Sequence, residues 1–231
     1  MMLDIFSSFD PACNSVFTML PSGFWALSFT VFILFSSMWL TPSQTSFLWT
    51  APINMMADQS SRTSTLHLKG LPTIITPLFT MLIFINLSGL MPYLFSPSSH
   101  IIFTFSLALP LWLSMILSSM TKNLSSFTAG LIPSGAPGWL NPFLLIIEML
   151  SISARPITLS FRLAANMSTG HIVLSLVTIY LVMSFFSPSY TSMVPLYLVS
   201  VFYTMFEIGI CLMQAYIFCL LLTLYSNEHS L

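Results

Sequence analysis

Residues 141 to 186 read NPFLLIIEMLSISARPITLSFRLAANMSTGHIVLSLVTIYLVMSFF, and only Glu148, Arg155 and Arg162 among them carry a formal charge. A short Ser- and Pro-containing break follows, and residues 195 to 225 then read PLYLVSVFYTMFEIGICLMQAYIFCLLLTLY, with Glu207 as the lone charge. At 1.5 Å per residue, continuous helices of these lengths extend roughly 69 and 46 Å, against a hydrocarbon core of about 30 Å. They cannot both stand upright in a bilayer. Either the first breaks, with Pro156 the obvious place, or the two tilt steeply and lie partly along the membrane as an antiparallel hairpin.

The rest of the chain belongs to the same solvent. Of 231 residues, 5 % are charged and 56 % hydrophobic, where a soluble domain carries roughly 25 % charged residues. Mean hydropathy is +0.92, so polar groups cannot cover the apolar surface in water. No charge occurs between Asp10 and Asp58, Lys69 and Lys122, Arg162 and Glu207, or Glu207 and Glu228, and about 20 such residues suffice to cross a membrane. The period-2 alternation of a membrane β-barrel is missing, which leaves helices to satisfy the backbone. A net charge of -1 with five basic residues offers no surface to a row of phosphates, so no nucleic-acid partner is expected. The start, MMLDIFSSFDPACNS, resembles neither a secretory n-region nor an Arg-rich transit peptide, and insertion without a cleaved signal is expected.

The expected fold is an all-α membrane protein, a single integral membrane domain over residues 1–231 with about five transmembrane helices, the last two forming a long, strongly tilted, near-horizontal hairpin. The first helix is placed at 24–40, with Trp25 and Trp39 near its ends as interfacial anchors. Residues 42–70, which hold Arg62, His67 and Lys69, read as a surface loop or short amphipathic helix. Helices over 71–93 and 101–120 form a hairpin joined by Ser96, Pro97, Ser98 and Ser99. Lys69 and Lys122 then fall on one side, the matrix or cytoplasmic side by the positive-inside rule. IPSGAPGWLNP, residues 132–142, makes a tight loop before the long helices of 141–186 and 195–225. Cys13, Cys211 and Cys219 show no metal spacing and read as small hydrophobes.

Ionised groups deep in a membrane cost a few kcal/mol each, which makes the charges of the final hairpin functional candidates. At 100° per residue, Glu148, Arg155, Arg162, Asn166 and Thr169 fall at about +40, +20, 0, +40 and -20°, one polar stripe provided Pro156 does not reset the register. His171 falls at about 180°, on the opposite face. On the second helix Tyr203, Glu207, Cys211 and Gln214 share a sector of about 80°. Structural ion pairs, Glu148 with Arg155 or Arg162 with Glu207, are the competing reading. Glu and His titrate in an accessible range and relay protons, whereas Arg keeps its own, so a fixed Arg among proton carriers acts as an electrostatic gate. His67, His100 and His229 fall in loops or the tail, where exposure accounts for them. No GxxxxGK[ST] loop, Ser-His-Asp set or metal constellation occurs, so neither catalysis nor a cofactor is expected.

ARPITLSFRLAANMSTGHIVLSL (154–176) followed by FEIGICLMQAYIFCLLLTLY (206–225) closely resembles subunit a of rotary ATP synthases in its mitochondrial form. INLSGLMPY (85–93), IPSGAPGWLNPFLLIIE (132–148) and FSSFDP (6–11) resemble the same family, so the likeness covers nearly the whole chain. Ser168 and Thr169 depart from the Thr-Ala pair expected there. The resemblance implies a non-catalytic, proton-translocating stator subunit with two offset aqueous half-channels. It implies that Arg162 faces a rotor ring of small proteolipids and meets the membrane carboxylate of each, with Asn166 one turn later. It further implies that Glu207 and His171 belong to the intermembrane-space half-channel, with Gln214 beyond, and that Glu148 marks the matrix-side exit. Peripheral-stalk partners, the mitochondrial inner membrane and an organelle-encoded chain follow from the same likeness. A secondary transporter should show a repeated half, and a haem-bearing subunit paired His ligands on facing helices; neither pattern is visible.

Overall fold

The computed structural model describes Phe9 and residues 44–68, 70–91, 96–131, 138–186 and 190–227. The helix expected at 24–40, together with Cys13, Lys69 and His229, lies outside the described residues. The described elements are α1 (Gln44–Ser61), a 3-10 turn (Ser64–His67), α2 (Leu71–Gly89), a second 3-10 turn (Pro97–Ser99), α3 (Ile101–Lys122), α4 (Leu124–Gly130), α5 (Asn141–Phe186) and α6 (Tyr190–Asn227). No strand occurs among the described residues. Four helical segments are long and apolar enough to cross a membrane: Leu71–Gly89, Ile101–Lys122, Asn141–Phe186 and Met193–Asn227. The chain is an all-α membrane protein, and intrahelical bonding meets the demand that lipid makes on every backbone group.

Helix starts follow local chemistry. Gly70 has φ 87° at the N-cap of α2, in the left-handed region that costs a residue with a Cβ about 1 kcal/mol or more. Pro72 follows at the second helical position, where its missing N–H is no loss. Serine and threonine enter apolar helices by bonding their own backbone: Ser106 Oγ donates to the Phe103 carbonyl at 2.8 Å and Ser114 Oγ to that of Leu111 at 2.7 Å.

Pro156 does not break α5, which continues for 46 residues. Its ring is buried in an apolar crevice shared with Ala108 and Trp112 of α3 and with Leu159, Phe218, Leu222 and Tyr225, so packing offsets the one missing backbone bond. As continuous helices, α5 and the 38-residue α6 run roughly 69 and 57 Å, about twice the hydrocarbon thickness, and must tilt steeply.

α2, α3, α5 and α6 share one core, in which Leu82, Leu163, Ala215 and Cys219 are almost completely buried. Small side chains at Ala215, Cys211 and Cys219 of α6 let backbones approach closely, the usual means of helix association in lipid. The outer faces remain apolar and open: Phe143, Leu150 and Phe161 on α5, and Leu198, Phe202 and Met205 on α6, are all exposed. That surface calls for lipid or a protein partner.

The 42–70 segment contributes to this assembly. Met56 of α1 is in the core, and Thr65 is buried with its hydroxyl donating to the Ser60 carbonyl at 2.5 Å. Ser64 donates from its N–H and its Oγ to Asn227 Oδ1 at 2.9 and 2.8 Å, and its Oγ also reaches the Ser226 carbonyl at 2.8 Å. This latch ties the turn after α1 to the last residues of α6. Asn227→Ala removes the side-chain acceptor and leaves the Ser226 carbonyl, and is expected to lower stability by about 1 kcal/mol, the usual cost of such bonds. Thermal unfolding of the purified assembly reads it; an unchanged midpoint would show that solvent replaces the bonds.

Candidate functional site

The charged residues of the final hairpin separate into an exposed face, a buried seam and an ion pair. Arg162 is exposed on α5, with exposed Phe161, Ala165 and Thr169 beside it and half-buried Asn166 one turn on. Thr169 occupies its hydroxyl with the Ala165 carbonyl at 2.8 Å. Among the described residues, the only ion pair is Arg155 with Glu148 at 3.9 Å, so Arg162 and Glu207 are not paired. Of the two pairings weighed from sequence, only this one forms. The Arg155 guanidinium also lies 4.9 Å from the centroid of the Tyr225 ring, a cation–π distance. Glu148 remains partly exposed.

Glu207 is 1 % exposed. Tyr203, one turn earlier on α6, donates its hydroxyl to Glu207 Oε1 at 3.2 Å. Oε2 has no partner among the described residues. On α5 the backbone of Gly170 lies against this carboxylate so closely that a Cβ at 170 would overlap it. A side chain at 170 would force the Glu207 carboxylate to shift, so contact, not backbone angle, favours glycine here. His171 comes next in the chain, half-buried, with Nε2 buried and unpartnered and its ring edge-to-face with Phe9 at 6.2 Å. No hydrogen bond or ion pair joins His171 directly to Glu207 among the described residues. Gln214, half-buried, lies two turns beyond Glu207 on α6.

A third element closes the seam. Asn86 of α2 is fully buried, donates Nδ2 to the Cys211 carbonyl at 3.4 Å, and leaves Oδ1 without a partner. Ser98, in the turn between α2 and α3, is also fully buried with its Oγ unpartnered. Near the same place α2 ends at Gly89, where a Cβ would lie 2.9 Å from Ser96 Cβ and 3.4 Å from Met167 Cε of α5. An unsatisfied buried polar group costs about 1–3 kcal/mol in apolar surroundings, which makes each of these groups a functional candidate. His100 is half-buried at the N-cap of α3 and not freely exposed, because the turn before it folds inward. The side chain of His67 is not among those described.

Sequence reasoning missed Asn86 and Gly170 as site residues. The signal for Asn86 was one amide inside the apolar run LIFINLSG (82–89), costly in lipid unless used. Gly170 had no such signal, because its need arises from a side chain 37 positions away in sequence. The expected consequence is large. Gly170→Ala pushes the Glu207 carboxylate aside, and the thermal unfolding midpoint of the purified assembly is expected to fall, by about 1–3 kcal/mol in stability. Adding Glu207→Asp, one methylene shorter, restores part of it. An unchanged midpoint in Gly170→Ala alone would show that the seam relaxes freely.

Among the described residues, no group of three or more His, Cys, Asp or Glu is placed to hold a metal ion.

Comparison with known proteins bears on this arrangement as a whole. The family model described as ATP synthase A chain matches residues 16–227. The ATP synthase subunit a of Locusta migratoria is 36 % identical over 232 residues, covering 99 % of each chain. That of Albinaria caerulea is 38 % identical over 229 residues, with 99 % of this chain and 100 % of the relative covered. A further relative of the same name, from Artemia franciscana, is 33 % identical over 234 residues. Near-complete coverage from both sides leaves no part of the buried seam or the exposed Arg162 face outside the likeness, and the chain belongs to the ATP synthase A chain family.

Proposed function

We propose that this chain is the proton-translocating stator subunit of a rotary ATP synthase in the mitochondrial inner membrane, working as one integral membrane unit over residues 1–231. The observation that carries the reading is the split within one helix pair: a buried, half-satisfied carboxylate at Glu207 and an exposed, fixed cation at Arg162. A proton reaches Glu207 through the polar seam that also holds His171 and Asn86. From there it neutralises the membrane carboxylate of a rotor-ring subunit lying along the exposed α5 face, with Asn166 and Gln214 flanking the transfer. The neutral site turns into lipid. After nearly a full revolution it meets the Glu148 end of α5 and releases its proton towards the matrix, where the Arg155 pair holds Glu148 in place.

Arg162 does not deliver a proton in this scheme. A guanidinium is a cationic donor that does not hand on its protons, so Arg162 draws an ionised ring carboxylate and repels a hydronium crossing straight between the half-channels. The chain performs no bond chemistry; ATP is made in a separate soluble sector driven by the rotation. Its partners are the proteolipid ring, peripheral-stalk and other membrane-sector subunits, and the lipid bilayer. An organelle-encoded origin agrees with the same family form.

Gentle solubilisation of native membranes followed by mass spectrometry of the assembly tests the reading. A small proteolipid ring and an ATPase are expected to co-purify with the chain. Recovery of the chain with oxidoreductase subunits, or alone, would overturn it.

A further inference from the structure

The seam that carries Glu207 also carries two sulfur atoms that the proton path does not use. Cys211 Sγ lies 3.4 Å from Met167 Sδ. Both residues are enclosed, Cys211 at 0 % and Met167 at 1 % exposure. Their contact and that of Glu207 with Gly170 are successive rungs between α6 and α5: four residues forward on one helix, three back on the other. Glu207 and Cys211 are therefore neighbours on one face of α6, where an i, i+4 spacing brings Cβ atoms to about 5–6 Å. Glu207 Oε2, buried and unpartnered, is the third donor atom on this strip.

We infer that Cys211 and Met167 form a binding site for a soft monovalent metal cation of the copper(I) or silver(I) class, beside Glu207 in the wall of the polar seam. Thiolate and thioether sulfurs select soft metals over hard ones. Metal–thiolate bonds run to about 2.3 Å for zinc, a reach at which sulfurs 3.4 Å apart can both contact one cation as a bent pair. Binding breaks the Cys211 Sγ–H bond and forms an Sγ–metal bond. The Met167 sulfur contributes a lone pair, the displaced proton leaves to solvent, and no oxidation state changes. One cation replaces one proton, so the net charge of the buried site is unchanged. A divalent ion bound the same way would leave an added positive charge at membrane depth, at a cost of several kcal/mol. The bound cation lies one helical turn from Glu207 and blocks proton uptake there. That blocking effect rests on the function proposed above; occupancy of the site does not.

The test uses the complete complex, as purified and in sealed vesicles, with silver nitrate in chloride-free buffer as the probe. Metal content is measured after removal of free silver, and ATP-driven proton pumping is followed against each variant's own silver-free rate. Wild type is expected to retain one silver per complex more than Cys211→Ala. Met167→Leu is expected to need about 10-fold more silver for the same occupancy, and Cys219→Ala, which removes the other buried thiol of the same helix, to match wild type. Silver is expected to stop pumping in wild type at a concentration at least 10-fold below that needed in Cys211→Ala. Equal silver content in wild type and Cys211→Ala, or an unshifted curve for Met167→Leu, overturns the site. Silver lost in Cys211→Ala but pumping unaffected in wild type upholds the site and instead contradicts the placing of proton uptake at Glu207.

Discussion

Arg162→Ala is expected to abolish ATP-driven proton pumping, at least about 100-fold or roughly 2.7 kcal/mol in rate terms, while the complex still assembles. Assembly survives because the side chain is exposed and unpaired with Glu207, so its loss leaves no buried charge without a partner. Coupling does not survive. Without a fixed cation opposite the ring, nothing holds an ionised ring carboxylate between the half-channels or keeps protons from passing directly. Arg162→Lys separates charge from permanence: it restores the positive charge on a group that gives up its proton far more readily, and is expected to leave pumping severely impaired. Pumping at the wild-type rate in vesicles carrying Arg162→Ala would remove the gate from the mechanism.

The second large effect is at Glu207. Glu207→Gln keeps the shape of the side chain and an oxygen for the Tyr203 hydroxyl, but it has no proton to exchange. ATP synthesis driven by an imposed proton gradient is expected to drop about 10-fold or more, roughly 1.4 kcal/mol, with normal recovery of the assembled complex. Glu207→Ala differs in kind. It strands the Tyr203 hydroxyl and empties the volume against Gly170, so assembly is expected to suffer as well. Synthesis unchanged in Glu207→Gln would take this residue out of the proton path.

Some of this arrangement was legible in the residues themselves. Composition alone required lipid as solvent, and the length of the two final apolar stretches required tilt once the first was continuous. Helical periodicity put Arg162 and His171 on opposite faces of α5, and the structure leaves Arg162 exposed while His171 Nε2 is buried. Periodicity could not say whether Pro156 resets the stripe, because that depends on the crevice formed around it by α3 and α6. Nor could it say which α5 residue touches Glu207. The answer, Gly170, is invisible to any pattern of polar residues, since its contribution is the absence of a side chain. Asn86 was hidden for a related reason: its partner, the Cys211 carbonyl, is 125 residues away, and only packing brings them together.

The claim at the centre is that the exposed α5 face around Arg162 is where the rotor runs. A photo-crosslinking side chain in place of Phe161, half-exposed beside Arg162, tests it in native membranes without touching a charged residue. The expected adduct, identified by mass spectrometry, is a small proteolipid bearing a membrane carboxylate. Adducts with lipid alone, or with a second copy of this chain, would contradict it.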